Sequence, residues 1–363
     1  MNVNVQSGDT ARQTASAPGN GREPTMADVA EHLGVSRQLV SMVLREQPGP
    51  SERSRARVKQ AASDLGYKPH RGAQVLRRSR STQIGVAFVP GYWVEGEIIE
   101  GMYAEAAKSG YGLMLSAQTM HHSTERALSE LQGYRCAGLI TIGSTMNPTE
   151  LGDFARTSSV PVALVGHGTR NPAYDVIQSA GAAGIALCVD HLWELGHRDI
   201  AYIDITSLAP SGVRRRGYLN ACRRLGLDPR IESSDHPYPE EGGAIAVRSL
   251  LERSRMATAV VAVNDQSCFG AAMELLRAGL SIPSDVSLTG YDDSRLASSS
   301  FFDLTTARQD ATALGTRAVK TILRRVEDRS LVAQERIIRT KLIVRSSTAV
   351  PRRRSAPRSA RRG

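Results

Sequence analysis

The 363-residue chain is 41% hydrophobic and 5% aromatic, with a formal charge of +10 and an isoelectric point near 9.7. That apolar content is enough for more than one core, and no run reaches the roughly 18 apolar residues of a membrane span. The charge is uneven: residues 1–80 hold thirteen Lys/Arg against seven Asp/Glu, residues 351–363 hold six Arg and no acid, and the long middle is near neutral. This is the distribution of a basic, nucleic-acid-binding head on a neutral body.

Residues 1–24 are polar and lack the apolar centre of a signal peptide, so a disordered tail and a cytoplasmic protein are expected. From Thr25 the pattern turns helical. Thr25 and Asp28 have capping-box spacing, Met26, Val29, Ala30 and Leu33 share one helical face, and Gly34 stands where a left-handed stop is needed. Ser36 is placed to cap a second helix, with Val35 and Val40 at staple positions. There Val40, Val43 and Leu44 face inward, while Arg37, Gln38, Ser41, Met42 and Arg45 share the opposite face. Arg can fork onto guanine O6/N7 and Gln onto adenine N6/N7, so such a helix can read base edges in a DNA major groove. The same residues also describe a small helical hairpin with a solvated polar face. After Pro48, Gly49 and Pro50, Ser51 caps a third helix. Val58, Ala61, Ala62 and Leu65 lie on one face and Arg53, Arg55, Arg57 and Lys59 on the other, before a stop at Gly66.

Thr25, Asp28, Val29, Ala30, Gly34, Val35, Ser36, Val40, Ser41 and Leu44, followed by Leu65, Gly66, Tyr67 and Pro69, stand in the order T-x-x-D-V-A-x-x-x-G-V-S-x-x-T-V-S-x-x-L … L-G-Y-x-P-N. On these residues the region resembles the headpiece and hinge of the lactose/galactose-repressor (LacI/GalR) family of bacterial transcription regulators. The resemblance implies an all-α helix–turn–helix headpiece over 25–70 and a hinge over 71–81. It places Thr25, Ser36, Arg37, Gln38, Ser41, Met42 and Arg45 at DNA, with Arg71, Ala73 and Leu76 in the hinge. Leu76 holds the position of an apolar wedge that opens a base step in the minor groove. Met42 stands where the family frequently has Arg, His70 where it has Asn, and Gly72 costs about 1 kcal/mol against Ala if the hinge becomes helical. Read from its residues alone, without the headpiece, this segment is an ordinary flexible linker.

From Thr82 the chain alternates apolar strands with amphipathic helices. Strands are predicted over 84–89, 112–116, 137–142, 162–165, 200–205, 259–263 and 286–290, with helices over 96–109, 124–134, 183–195, 212–225, 244–251 and 266–278. Continuous apolar strands between helices imply parallel sheets covered on both faces, and about 270 residues of this pattern imply two α/β subdomains. The segment HLWELGHRDIAYI (His191 to Ile203), Asn264-Asp265, Gly290-Tyr291-Asp292-Asp293 and Leu304-Thr305-Thr306 extend the family resemblance over 82–350. It implies a periplasmic-binding-protein-like core of two subdomains with an effector cleft at the strand ends.

Three cleft residues carry over on that resemblance. Arg214 lies three before Gly217, and Asn264 and Asp292 end apolar strands, where they can meet ligand hydroxyls. By pattern alone, Arg214 also reads as a solvated member of an arginine run and Asp292 as a turn residue. Tyr92 and Trp93 could floor the cleft by stacking on a ring. Two polar hooks usual in the family are missing, where this chain has Gly166-His167 and Ala180-Gly181, and Phe302-Asp303 replaces the usual Pro-Pro before L-T-T.

No phosphate loop, zinc-binding H-E-x-x-H or nucleophile elbow occurs, so no catalytic residue, cofactor or metal is expected. Cys136, Cys188, Cys222 and Cys268 read as reduced, buried hydrophobes. His121, His122, His191 and His197 read as surface or helix-end residues without metal-ligand company. The expected protein is a homodimeric transcriptional regulator, most simply a repressor, with pseudo-palindromic double-stranded operator DNA and a sugar-like effector as partners and no membrane. No terminal leucine heptad follows Val350, only a basic stretch over 351–363 expected to be disordered, so no tetramer is expected. The alternative is a DNA-binding regulator or a nucleoid-type binder without a small-molecule effector, the second of which leaves the cleft-forming core without a purpose.

Overall fold

A computed structural model describes residues 23–67, 81–253 and 256–352, which fall into two compact units, one on each side of residues 68–80. The hinge positions Arg71, Ala73 and Leu76 and the tails 1–22 and 353–363 lie outside the described residues.

The first unit is three helices, α1 (Met26–Leu33), α2 (Arg37–Leu44) and α3 (Glu52–Asp64). Each begins on the predicted cap. The Thr25–Asp28 box is closed in both directions, Ser36 Oγ accepts the Leu39 N–H at 3.2 Å and Ser51 Oγ that of Ser54 at 3.3 Å. Gly34 and Gly66 take the left-handed backbone (φ 62° and 67°) that ends α1 and follows α3. The core is seven small residues: Val29, Ala30, Val40, Val43, Val58, Ala61 and Ala62.

The second unit holds two six-stranded sheets. Subdomain 1 contains β1 (Gln83–Phe88), β2 (Gly112–Ala117), β3 (Gly138–Ile142), β4 (Val162–Val165), β5 (Asp175–Ser179) and β11 (Glu335–Ile338), all parallel, in the order β11-β5-β4-β3-β1-β2. Its helices are α4 (Trp93–Lys108), α5 (Thr124–Gly133), α6 (Pro148–Thr157) and α11 (Ala311–Glu327). Subdomain 2 contains β6 (Ile200–Ile205), β7 (Arg230–Ser234), β8 (Ala259–Ala262), β9 (Ser287–Asp292), β10 (Thr305–Arg308) and β12 (Lys341–Ile343), in the order β12-β10-β9-β8-β6-β7. Only β12 runs antiparallel, beside β10. Its helices are α7 (Gly181–Glu194), α8 (Ser211–Leu225), α9 (Pro239–Leu251) and α10 (Asp265–Arg277). The chain crosses between subdomains three times, at 180, at 309–310 and at 339–340.

Helix pairs within each subdomain meet backbone to backbone. A Cβ on Gly101 of α4 would lie 2.5 Å from the Thr312 carbonyl oxygen, and one on Gly315 of α11 2.0 Å from that of Ile98. Gly243 and Gly270 repeat the arrangement between α9 and α10, and Gly217 of α8 abuts the Ala182 carbonyl of α7. Five strands (β5, β7, β10, β11, β12) and two helices (α6, α11) go beyond the predicted segments. Several of these strands are short, and β7, β11 and β12 are polar sheet edges whose one exposed side breaks the apolar run that marks a central strand.

All four cysteines are free and buried. His197 departs from a surface role: it is buried after α7, its Nε2 2.8 Å from the Ala349 carbonyl oxygen and its Nδ1 2.9 Å from Thr258 Oγ1, fastening the C-terminal segment to sheet 2. Arg352, assigned to the tail by its sequence, pairs with Asp285 at 3.0 Å. Among the described residues, no helix is long and apolar enough to cross a membrane.

The α4–α11 contact gives a stability test. Gly315→Ala forces a methyl group onto the Ile98 carbonyl, and overpacking of this kind costs about 1–3 kcal/mol, more than the helix propensity gained. Urea unfolding should show a lowered midpoint; an unchanged or raised one would mean that the helices separate freely at this point.

Candidate functional site

Two sites emerge, one in each unit. In the headpiece, Arg37 and Gln38 of α2 and its C-cap Arg45 are exposed, while Ser41 and Met42 are half-buried. Thr25 and Ser36 spend their hydroxyls on helix caps. Met42 differs from an open contact residue, because a Cβ on Gly49 would lie 3.1 Å from its terminal methyl. The methionine fills the junction of α2 with the Pro48–Pro50 loop. On α3, Arg53, Arg57 and Lys59 are exposed, and Arg55 donates to the Gln47 carbonyl at 2.5 Å.

In the core, a cavity of about 220 Å³ lies between the two sheets at the C-terminal ends of their strands. All five predicted effector residues line it: Tyr92, Trp93, Arg214, Asn264 and Asp292. Arg214, on the first turns of α8, donates through Nη1 to the Val263 carbonyl at 2.7 Å and through Nη2 to Asp292 Oδ1 at 3.3 Å. Its guanidinium lies 3.7 Å over the ring of Tyr291, an arrangement that adds cation–π attraction in a desolvated site. Arg214 Nε is buried with no partner.

Asp292 and Asp293 both have positive φ, 125° and 57°, at the end of β9. This backbone, unusual for residues with a Cβ, sends the two carboxylates apart. Asp293 pairs with Arg345 at 2.6 Å, while Asp292 takes Gln309 Nε2 at 2.6 Å and Arg214. The turn role and the cleft role therefore fall to different aspartates. Asn264 caps α10, its amide oxygen accepting from Ser267 N at 2.8 Å. Asp265 beside it is fully buried and takes Thr306 Oγ1 at 2.6 Å and Ser294 N at 2.8 Å. Burial, and then the charge of Asp292, push the Asp265 carboxyl well above the usual range; burial also raises Asp292, against the pull of Arg214.

Tyr92 packs against the core of subdomain 2, and Trp93 meets aromatic rings there. Trp93, opening α4 in subdomain 1, meets Phe269 of α10 edge to face at 5.9 Å, and Phe269 meets Phe302 at 5.7 Å, so these rings clasp the two subdomains together. Gln266 adds a second tie, donating to the Gly91 carbonyl at 3.2 Å, and Tyr291 Oη a third, to Ser179 Oγ at 2.8 Å. At the departures, Gly166 (φ 129°) faces Gly143, and His167 Nδ1 lies 3.3 Å from Gln178 Oε1.

Lining residues not picked out from the sequence include Glu95, Asp265, Gln309 and Gln178. Glu95 could have been found, because it falls one helical step before Ile98 on the buried stripe of α4, where an acid is out of place. Its Oε2 accepts Val89 N at 2.8 Å, and burial lifts its pKa to about 8. No cluster of three metal-ligating side chains occurs among the described residues.

A helix–turn–helix unit sharing one chain with a ligand-sized interdomain cleft defines a regulatory DNA-binding protein with a sensing core. Residues 25–70 match the pattern of bacterial regulatory proteins of the lacI family, and residues 189–348 that of a periplasmic binding protein-like domain. The ribose operon repressor of Escherichia coli K12 is 29% identical over 332 residues, covering 90% of this chain and 99% of that protein. The HTH-type transcriptional regulator MalR of Streptomyces coelicolor is 31% identical over 348 residues, covering 92% and 99%. The crystal structure of the Lac repressor dimer bound to operator and the anti-inducer ONPF superposes with a TM-score of 0.78 at 27% identity, covering 90% of this chain and 100% of that one. The chain belongs to the LacI family of bacterial regulatory proteins.

The buried Glu95 sets a pH dependence. Unfolded, the carboxyl titrates near 4.5; folded, it holds its proton to about 8. The folded state binds the extra proton between these values, so stability falls as pH rises through this window and levels off above it. In Glu95→Gln that contribution is absent, so the stability of the variant relative to the parent should increase from pH 5 to pH 8 in urea titrations. A difference independent of pH would mean that Glu95 is ionised in the folded protein.

Proposed function

We propose that this protein is a sequence-specific transcriptional repressor of the cytoplasm, acting as a homodimer on a pseudo-palindromic operator and without catalysis. A small-molecule effector in the cleft tunes its operator affinity. The observation that carries this reading is the pairing, in one chain, of an α2 that exposes Arg37 and Gln38 from its first turn with a cleft in which Arg214 is held against Asp292 at the end of β9. The Lac repressor dimer, solved on operator with an anti-inducer, supports it by likeness over nearly the whole chain. In this reading Arg37 and Gln38 read base edges, and Ser41 and Arg45 reach DNA beside them. Thr25 and Ser36 hold the helix ends at the backbone, and Met42 supports the contact through the loop at Gly49. Arg71, Ala73 and Leu76 belong to the hinge. Arg214, Asn264 and Asp292 hold the effector, with Tyr92 and Trp93 at the mouth.

Effector binding would change the angle between subdomains, and a coupling of about 1–3 kcal/mol alters operator occupancy several-fold. Selection from a random duplex library with the full chain should recover a two-fold symmetric site. On that site Arg37→Ala should weaken binding by about 1–3 kcal/mol and relax the preference at one base pair in each half. An equal loss on selected and random DNA would assign Arg37 to phosphate, and recovery of no common sequence would leave a nonspecific binder.

A further inference from the structure

The turn that opens α4 ties the two subdomains together, and a carboxyl is buried in the middle of it. The Gly91 carbonyl accepts from Gln266 at 3.2 Å, Tyr92 packs on the apolar core of subdomain 2, and Trp93 meets Phe269. Further along the same helix, Glu97 Oε1 accepts the Arg295 N–H of subdomain 2 at 3.2 Å. Glu95 stands between these ties and is only 6% exposed. Around it lie Ile98, Ile142 and Leu314 of its own subdomain, with Leu208 and Val213 lining the same cavity from the other. A carboxylate so placed needs a cation or several donors to stay charged. Glu95 has the Val89 N–H on Oε2 at 2.8 Å, and no arginine or lysine pairs with it among the described residues. That N–H and the start of α4 favour the anion, but burial outweighs them and the carboxyl keeps its proton to about 8.

The other titratable groups of the cavity keep their surroundings when the subdomains part. Asp265 is held by Thr306 Oγ1 and Ser294 N, and Asp292 by Arg214 and Gln309, all within subdomain 2 or its crossover. Arg214 is committed to Asp292 and the Val263 carbonyl. On the subdomain 1 side, His167 lies against Gln178 at the end of β4. Tyr92 is a phenol whose pKa burial, and then the charge of Glu95, raise further, so it stays neutral. Glu97 is raised by burial against the pull of the Arg295 N–H, and lies among Asp293, Arg295 and Arg308. Glu95 differs from all of these. Part of its cover belongs to the opposite subdomain, and the residues that fasten that cover are its neighbours in the chain.

We propose that Glu95 links closure of the core to a proton: the closed arrangement shelters the neutral carboxyl beneath the clasp of Trp93 and Phe269, and separation of the subdomains wets it and releases the proton, so that rising pH opens the core. Wetted, the carboxyl titrates near 4.5; sheltered, it holds its proton to about 8. The closed form binds the extra proton between these values. Its advantage is full below the lower one, falls as pH rises through the window and is gone above the upper one. One linked proton changes the ratio of closed to open molecules by at most about ten-fold per pH unit. Any partner that selects one of the two forms then binds with proton uptake or release.

Trp93 reports on the clasp directly. The chain has two tryptophans, so in a full-length Trp193→Phe background acrylamide quenching reads the exposure of Trp93 alone. Between about pH 6 and about pH 9 the quenching constant should rise about two-fold or more. Glu95→Gln, whose amide oxygen still accepts the Val89 N–H, should hold the low value throughout. Glu95→Met, apolar and of similar length, is a second variant that cannot titrate and should do the same, which covers a failure of the first to fold. Glu97→Gln keeps an acceptor toward Arg295 and should leave the rise in place. A flat profile in the Trp193→Phe parent overturns the proposal, as does a rise that survives in Glu95→Gln or Glu95→Met, or one that disappears in Glu97→Gln. A high value at every pH in both Glu95 variants overturns it too, because the carboxyl would then hold the clasp by its contacts and not by its proton.

Discussion

The buried pair Arg214–Asp292 is the constraint around which the core is arranged. Two charges removed from water cost several kcal/mol each, and their attraction recovers this only when the remaining hydrogen-bonding capacity is also met. Here it is met largely by backbone and crossover. The Val263 carbonyl takes one guanidinium edge, Tyr291 covers its face, and Gln309, at the second crossover, binds the carboxylate. The strained backbone at Asp292 is held by Asp293, whose ion pairs with Arg345 and Arg308 anchor the turn on the other side. What is left, the unpartnered Nε of Arg214, is the part of the pair that a ligand can use.

Around that pair the subdomains are built as stiff blocks. Where a helix carbonyl stands at the place a Cβ would fill, as at Gly315 and Gly270, the helices have no room to slide past one another, and cores packed this way shift between arrangements rather than deform. Motion is left to the three crossovers and to the clasp of Trp93, Phe269, Gln266 and Gly91 at the mouth of the cleft. Gln309 belongs to both systems, since it lies on a crossover and touches the cleft carboxylate.

The headpiece was legible in the sequence nearly residue by residue, because caps, stops and a short apolar stripe are local signals: Thr25, Gly34, Ser36, Ser51 and Gly66 act where their chemistry predicts. The apolar central strands were legible for the same reason. The strands that escaped are polar or short for causes no local window holds. Thr305 and Thr306 of β10 are fully buried, yet their hydroxyls are matched by Arg345 and Asp265, residues far off in the chain. The cleft divides similarly. Arg214, Asn264 and Asp292 stand in motifs, whereas Gln178 and Gln309 take their meaning from partners supplied by the fold. Tyr92 and Trp93 line the cleft, but Phe269, which Trp93 meets, comes from the other subdomain and could not be read from the neighbourhood of Trp93.

The triple crossing also bears on the order in which the protein can be made. Sheet 1 opens the core at Gln83, yet α11 and its edge strand β11 come from Ala311–Glu327 and Glu335–Ile338, after all but the last strand of sheet 2. Ile322, Val319 and Leu314 of α11 lie in the same apolar cluster as Ile84 and Val86 of β1. During synthesis, which proceeds at about 5–20 residues per second, the first half of the core leaves the ribosome with that face uncovered. It must wait for more than a hundred further residues before the covering helix emerges. Subdomain 2, nearly continuous from Gly181 to Arg308, can close first. The part of the core translated first therefore stays uncovered until α11 emerges, and the time in between is when its exposed apolar face is open to chaperones and to aggregation.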